Sequence, residues 1–194
     1  MEHEKKLEII LKLCDKYLLP LCEKGIPEFI NSSVFTEYMM APASYRKDYV
    51  GCYDGGLSEL SLLTFKNYWH TINNMKYDKV KLGDKYVMFT SSVVKISLFS
   101  QLGKVGSWDG YKVNKYYYDR DEYGNFKVNN DLVNIPVSVR SIKILNDFDI
   151  KLSEAEYQAI MSINENGMTL NDYKEEALTT YLKTSQRMAI DMMR

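Results

Sequence analysis

The chain has 194 residues, enough for one domain of above-average size with a substantial buried core. Its 25 basic and 26 acidic residues nearly cancel, which disfavours a nucleic-acid binder, because such proteins usually carry a basic excess. No apolar run reaches the roughly 20 residues of a membrane helix, and the charged residues 1–6 are unlike a signal peptide. Three cysteines without a CxxC pair indicate no disulfide framework, so we expect a cytoplasmic protein.

The first hundred residues predict helices separated by one long loop. Apolar residues at helical spacing indicate a helix over 4–24, which Pro20 should kink or end. Two short helices are expected at 27–31 and 35–41. Residues 42–56 are predicted to be a loop rich in Tyr, Arg and Lys, and its final Gly55-Gly56 allows a tight approach to the next helix.

That next helix is predicted over 57–73, with a buried face of Leu60, Leu63, Phe65 and Trp69. A polar connection follows at 77–84. Residues 86–102 are apolar on nearly every side, which is typical of a central helix.

The remaining chain predicts a β-hairpin and three more helices. Alternating apolar residues flank a Gly-containing turn, which indicates a hairpin near 111–128 that is inserted into the helical body. Helices are expected at 137–146, from a capping box formed by Ser153 and Glu156, and at 172–193. The predicted fold is therefore all-α, a single helical domain over 1–194 with one β-hairpin.

Three stretches, in order, resemble the HD-domain phosphohydrolase family of phage and bacterial genomes. Pro-Ala-Ser at 42–44 and YDGGLSELSL at 53–62 resemble the family's PAS loop and YEGGLxEHSL motif, and VKISLFSQLGK at 94–104 resembles its LLHDxGK helix. The C-terminal helices follow in the order of its GHGxxS, AIxxHxG and LxxADxxA segments. The resemblance covers about 35–190 and implies an HD-like helical bundle, with 1–34 as an N-terminal helical extension.

An active HD site needs imidazole and carboxylate ligands around divalent metal ions, which activate water and hold a phosphate. At the positions of those ligands this chain has Val50, Leu60, Ser100, Gln101, Val137, Ile163 and Gln186. The whole chain contains only two histidines, so a histidine-rich metal site cannot be rebuilt under any alignment. We therefore expect no metal, no cofactor and no catalytic residues, that is, a pseudoenzyme.

The resemblance implies that the emptied metal cleft persists as a pocket for a nucleotide or another phosphorylated small molecule. Residues Tyr45, Arg46, Lys47 and Tyr49 would put positive charge and aromatic rings at its mouth. The full set of residues expected to contact the ligand is Tyr45, Arg46, Lys47, Tyr53, Ser100, Gln101, Lys104, Lys183 and Gln186. Sequestration of a nucleotide signal in the host cytoplasm by a phage counter-defence protein is one concrete form of this function.

Two other hypotheses remain open from the sequence. The chain could be a protein-interaction module, an inhibitor or scaffold, in which Val50, Leu60, Val137 and Ile163 fill the former site. The tyrosine-rich loop and the hairpin would then bind a host protein or a second copy of the chain. Metal-free enzymatic chemistry is a weaker hypothesis, because Cys52 and His70 are more simply interpreted as structural and surface residues.

Overall fold

The computed structural model describes residues 2–74, 79–105, 116–128, 135–163 and 177–194, without the side chains of 79–88, 116–119 and 128. Its elements, in chain order, are α1 (His3–Leu13), α2 (Gly25–Ile30), α3 (Ser33–Met40), α4 (Gly56–Asn74), α5 (Lys79–Phe99), β1 (Tyr116–Arg120), β2 (Phe126–Val128), α6 (Val137–Asp147), α7 (Glu154–Ile163) and α8 (Ala177–Met192). The prediction of a mostly helical chain is confirmed. Within these ranges no helix has the length and apolar character needed to cross a membrane.

The first α-helix ends at Leu13, before Pro20, and is shorter than the helix predicted over 4–24. After α1 the chain passes through a π-helical turn, Cys14–Leu18, and a 3-10 turn, Leu19–Leu21. Proline has no N–H to donate to the preceding turn, so the regular helix cannot continue through it. Lys6 of α1 is buried, and its Nζ donates to the Gly55 carbonyl at 2.9 Å. This bond connects α1 to the glycine turn from which α4 starts.

Helix α4 lies between α5 and α8, and this position decides which of its residues are buried. Of the predicted buried face, Leu60 is 5% exposed, whereas Leu63, Phe65 and Trp69 are only partly buried. The neighbours of α4 therefore bury a different set of its residues from the predicted stripe. Tyr68, for example, is fully buried, and its hydroxyl donates to the Leu178 carbonyl of α8 at 3.2 Å.

Helix α5 is central, as its apolar sequence predicts. Val93, Val94, Ile96, Leu98 and Phe99 are all fully buried. The described part of the helix already includes residues 79–84, so most of the polar connection predicted at 77–84 is helical instead, and residues 77–78 lie outside the described residues. Lysine and leucine favour helix irrespective of burial, and polarity alone therefore does not mark a loop.

The strands β1 and β2 pair antiparallel, with Arg120 opposite Phe126. Residues 111–115 of the predicted hairpin lie outside the described residues. The pair contacts the loop between α3 and α4 directly: the Phe126 N–H donates to the Tyr45 carbonyl, and the Lys47 N–H donates to Asn125 Oδ1, both at 2.9 Å. The hairpin therefore supports the outer side of that loop.

The predicted capping box opens α7. Glu156 Oε2 accepts from the Ser153 N–H at 2.8 Å, and Ser153 Oγ accepts from the Glu156 N–H at 3.3 Å. Glu156 also accepts from Lys95 Nζ at 3.0 Å, an ion pair that connects α7 to α5. The first described residue of α8 is Ala177, and residues 172–176 of the predicted last helix lie outside the described residues.

Candidate functional site

A cavity of about 660 Å³ lies where the α3–α4 loop, α4, the turn after α5 and the end of α8 meet. This volume falls within the roughly 300–1,000 Å³ that small-molecule sites occupy. The residues that line it are Ala43, Ser44, Asp48, Tyr49, Val50, Leu60, Gln101, Lys104, Ile190 and Arg194.

The loop wall of the cavity depends on a glycine. Gly51 has a φ of +75°, a left-handed conformation that side chains disfavour. Its carbonyl accepts from the Ala43 N–H at 2.9 Å, and a Cβ at Gly51 would lie 2.6 Å from the Ala43 Cβ. The loop can therefore close on itself at this point and present residues 43–50 to the cavity.

The lining side chains differ in depth. Ala43 and Leu60 are each 5% exposed and belong to a small apolar cluster with Ala189 of α8. At the outer end, Tyr49 is 59% exposed and the Arg194 side chain is 71% exposed. The cavity thus has a buried apolar end and an exposed end that carries charge.

Gln101 lies at the buried end and is 7% exposed. Its Oε1 is enclosed and has no hydrogen-bond partner among the described residues. Most buried polar side-chain atoms are hydrogen-bonded, because leaving one unpaired costs about 1–3 kcal/mol. Gln101 is therefore a lining residue whose amide oxygen the described part of the chain does not satisfy.

Lys104 connects the two walls of the cavity. It belongs to the 3-10 turn Leu102–Lys104 that follows α5, is half-buried, and donates from Nζ to the Ala43 carbonyl at 2.6 Å. The same turn is held from behind by α6, because the Gly103 N–H donates to Ser141 Oγ at 2.8 Å. Lys104 thus puts a positive charge beside the loop wall without lying in solvent.

Arginine and tyrosine side chains stack on the outside of the loop. The Arg46 guanidinium lies 5.5 Å from the ring centre of Tyr45 and 5.6 Å from that of Tyr49. Its Nε also donates to the Tyr45 hydroxyl at 3.0 Å. Tyr49 carries this exposed stack to the cavity rim, as the sequence predicts for an aromatic and basic mouth.

Of the nine residues predicted to contact a ligand, Gln101 and Lys104 line the cavity. Tyr45, Arg46 and Lys47 lie in the same loop without lining it.

The other four predicted residues lie in surroundings that differ from one to the next. Ser100 is buried, and its carbonyl accepts from Ser141 Oγ; Gln186 is buried on α8, one turn before Ile190. Lys183 is exposed on α8, and Tyr53 is 41% exposed. None of the four lines the cavity.

Asp48 and Arg194 also line the cavity, although neither was among the residues predicted to contact a ligand. Asp48 lies in the predicted loop next to Lys47, whereas Arg194 follows the end of α8 and lies beyond the predicted last helix, so helical periodicity did not indicate it.

The positions that the resemblance assigns to metal ligands separate into two groups. Val50, Leu60 and Gln101 line the same cavity. Ile163, by contrast, packs against the main core, and Val137 starts α6 behind Gly103. The four apolar replacements therefore do not form one cluster.

Within the described ranges, no group of three or more His, Cys, Asp or Glu side chains is arranged to hold a metal ion. His70 is exposed and hydrogen-bonds to Asn74, whereas the Cys52 thiol donates to the Tyr45 carbonyl. These two side chains have separate partners and do not form a nucleophile–base pair.

Comparison of the chain with protein-family models, with curated proteins and with solved structures finds no match. The resemblance to HD-domain proteins stays a prediction from the sequence.

Proposed function

We propose that the chain is a degenerate HD-like protein that binds a nucleotide or another phosphorylated small molecule in this cavity and does not hydrolyse it. One observation carries the proposal: Val50 and Leu60 from one stretch of the chain and Gln101 from another line a single cavity of about 660 Å³. If an ancestral hydrolase lost its metal ligands but kept its ligand-binding cleft, a cavity would remain at the positions of those ligands.

The chemistry of the lining suits a phosphorylated ligand. Lys104 and Arg194 contribute two cations, and Asp48 contributes one anion, so the lining carries a net positive charge. Lysine and arginine bind phosphate through charge-assisted hydrogen bonds. The side chains of Val50 and Leu60 have no lone pair for a metal, and an amide is a weak neutral ligand. A ligand held there would be sequestered intact, as a phage protein that removes a host nucleotide signal requires.

Thermal unfolding with a panel of linear and cyclic nucleotides tests this function. A ligand at a hundred times its dissociation constant stabilises the folded state by about 2.7 kcal/mol, which raises the Tm by several degrees. The Lys104→Met variant should weaken binding about tenfold or more, since it removes a charge-assisted contact. Lys66→Met, at an exposed position on α4, makes the same change of charge away from the cavity and should bind normally.

Two results would contradict the proposal. One is the absence of any Tm shift with every nucleotide at millimolar concentration. The other is an equal loss of binding in the Lys104→Met and Lys66→Met variants. Because Lys104 also donates to the Ala43 carbonyl, the Tm of each variant without ligand is measured first.

A protein-interaction function is the second candidate, and the exposure of tyrosines near the hairpin favours it. Tyr49, Tyr53 and Tyr123 are between 41% and 69% exposed. Exposed aromatic side chains are common anchors of protein interfaces. A host protein that binds the wild type and Lys104→Met equally, but not Tyr123→Ser, would favour this function over ligand binding.

A further inference from the structure

The amide oxygen of Gln101 is buried and has no hydrogen-bond partner in the described part of the chain. Glutamine carries one acceptor oxygen and two N–H donors. Within the described ranges Oε1 of Gln101 has no hydrogen bond, and the residue is 7% exposed. Buried hydroxyls of Ser97 and Ser138 also have no partner among the described residues, but neither residue lines the cavity. Rotation about the terminal torsion of glutamine is soft, so the amide can turn toward an occupant.

The surroundings of Gln101 favour an uncharged group. Ala43 and Leu60, the other deeply buried lining residues, offer apolar contact. A phosphate placed there would lose its hydration, and a neutral amide would compensate only part of that loss. A flat, largely apolar ring with hydrogen-bonding atoms on its edge matches both the apolar walls and the amide.

The charged lining groups lie at two depths. Lys104 is half-buried, and its Nζ donates to the carbonyl of the buried Ala43 at 2.6 Å. Arg194 and Asp48 are exposed, and Arg194 is paired with Asp191 at 3.4 Å, so its guanidinium stays close to the end of α8. A phosphate on the exposed side of Lys104 would contact both cations, which leaves the space beside Gln101 and Leu60 for the uncharged part of a ligand.

We propose that Gln101 hydrogen-bonds to the edge of a nucleobase at the buried end of the cavity, with the phosphate directed outward to Lys104 and Arg194. This inference rests on the proposed function. In it, Gln101 recognises the base of the ligand. A glutamine amide offers an adjacent donor and acceptor, which pair with a complementary donor and acceptor on a base, as in glutamine–adenine pairs. Gln101 is then a specificity-determining residue.

The test compares ligands with and without a base. The probes are the four nucleoside 5′-monophosphates and ribose 5-phosphate, each titrated into the wild type, Gln101→Met and Gln158→Met. Methionine matches the shape of glutamine and removes its hydrogen bonds. Gln158 bonds to Thr179 and does not line the cavity, so its variant controls for the same change elsewhere.

The wild type should bind its best nucleotide at least about tenfold more tightly than ribose 5-phosphate. Gln101→Met should lose about tenfold of nucleotide affinity and leave ribose 5-phosphate affinity unchanged. Its Tm without ligand should equal or exceed that of the wild type, because an unpaired buried amide is replaced by an apolar group. Gln158→Met should retain nucleotide affinity.

The outcomes separate this inference from the function on which it rests. If ribose 5-phosphate binds as tightly as every nucleotide, or if Gln101→Met binds nucleotides normally, the base-first orientation is wrong and a phosphate-binding function stands. If none of the five probes and no cyclic nucleotide binds at millimolar concentration, both the proposed ligand-binding function and base recognition by Gln101 are wrong. A loss confined to nucleotides in Gln101→Met alone supports both.

Discussion

Gly103 allows α6 to approach the turn beside the cavity more closely than any side chain would permit. A Cβ at this position would lie 2.1 Å from the Val137 carbonyl oxygen and 2.9 Å from the Arg140 Cβ. The close approach brings Ser141 Oγ within 2.8 Å of the Gly103 amide nitrogen. The turn with Gln101 and Lys104 can therefore pack this closely against α6 only because residue 103 has no Cβ.

The Gly103→Ala variant should be less stable than the wild type by about 1–3 kcal/mol, because the added methyl group must displace backbone rather than a flexible side chain. Urea unfolding followed by circular dichroism measures the change as a lower midpoint with an unchanged slope. Ser33→Ala, at an exposed position in α3, should stay within about 0.5 kcal/mol. Equal midpoints for Gly103→Ala and the wild type would show that α6 does not lie this close to the turn.

At the scale of elements, the connection between β1 and β2 is organised by one carboxylate. Asp121 Oδ1 accepts from the backbone N–H groups of Tyr123 and Asn125, and Oδ2 accepts from Asn125 Nδ2. Asn125 in turn accepts from the Lys47 N–H of the cavity loop. The hydrogen bond from the Asn125 side chain is the largest cause that lowers the pKa of Asp121. The turn and the cavity loop thus depend on the same ionised group.

Acidification should loosen this connection. A carboxyl group with a lowered pKa in the folded state stabilises it above the ordinary pKa of aspartate, and this contribution is lost as the pH falls through the lowered value. The backbone amide signals of Tyr123 and Asn125, followed by NMR, should therefore titrate with a midpoint below about 3.9.

The Asp121→Asn variant should remove this titration, whereas Asp54→Asn, at an exposed position near the end of the loop, should leave it unchanged. A midpoint at or above the ordinary aspartate value would be inconsistent with the hydrogen bonds at the turn.

At the scale of the whole molecule, α4 and α8 form the most extensive helix pair among the described elements, and α5 and α7 also contact α8. Leu182 is fully buried in this region, whereas Met188 on the same helix is 45% exposed. Asn67 Nδ2 lies 3.4 Å from the Ser185 carbonyl across the pair. Because α8 also supplies Ile190 and Arg194 to the cavity, the packing of this helix and the shape of the site are connected.

The Leu182→Ala variant should lose about 2–5 kcal/mol of stability, the cost of removing a large buried side chain and leaving a cavity. Met188→Ala, which truncates a side chain on the exposed face of the same helix, should change stability by less than about 0.5 kcal/mol. Urea unfolding of both variants gives the comparison. Similar losses in the two variants would mean that α8 does not pack against the core through the Leu182 face.

The local features of the fold could be predicted because neighbouring residues produce them. The Ser153–Glu156 capping box depends on contacts within a few residues and occurs as predicted. The first α-helix, however, ends at Leu13, earlier than the break predicted at Pro20. The start of α5 and the buried face of α4 could not be predicted as well. Phe65 and Trp69 are only partly buried because the neighbours of α4, and not its own periodicity, decide how much surface is covered.

Composition by itself determined that a histidine-rich metal site cannot exist, since a count of two histidines is independent of any fold. The motifs also pointed to Gln101 and Lys104. Only the tertiary structure decided that Asp48, Gln101 and Arg194, which are far apart in sequence, line one cavity, and that the Gln101 amide oxygen is enclosed without a partner among the described residues. The reason is physical: hydrogen-bond satisfaction and depth of burial depend on packing between elements, which local periodicity does not encode.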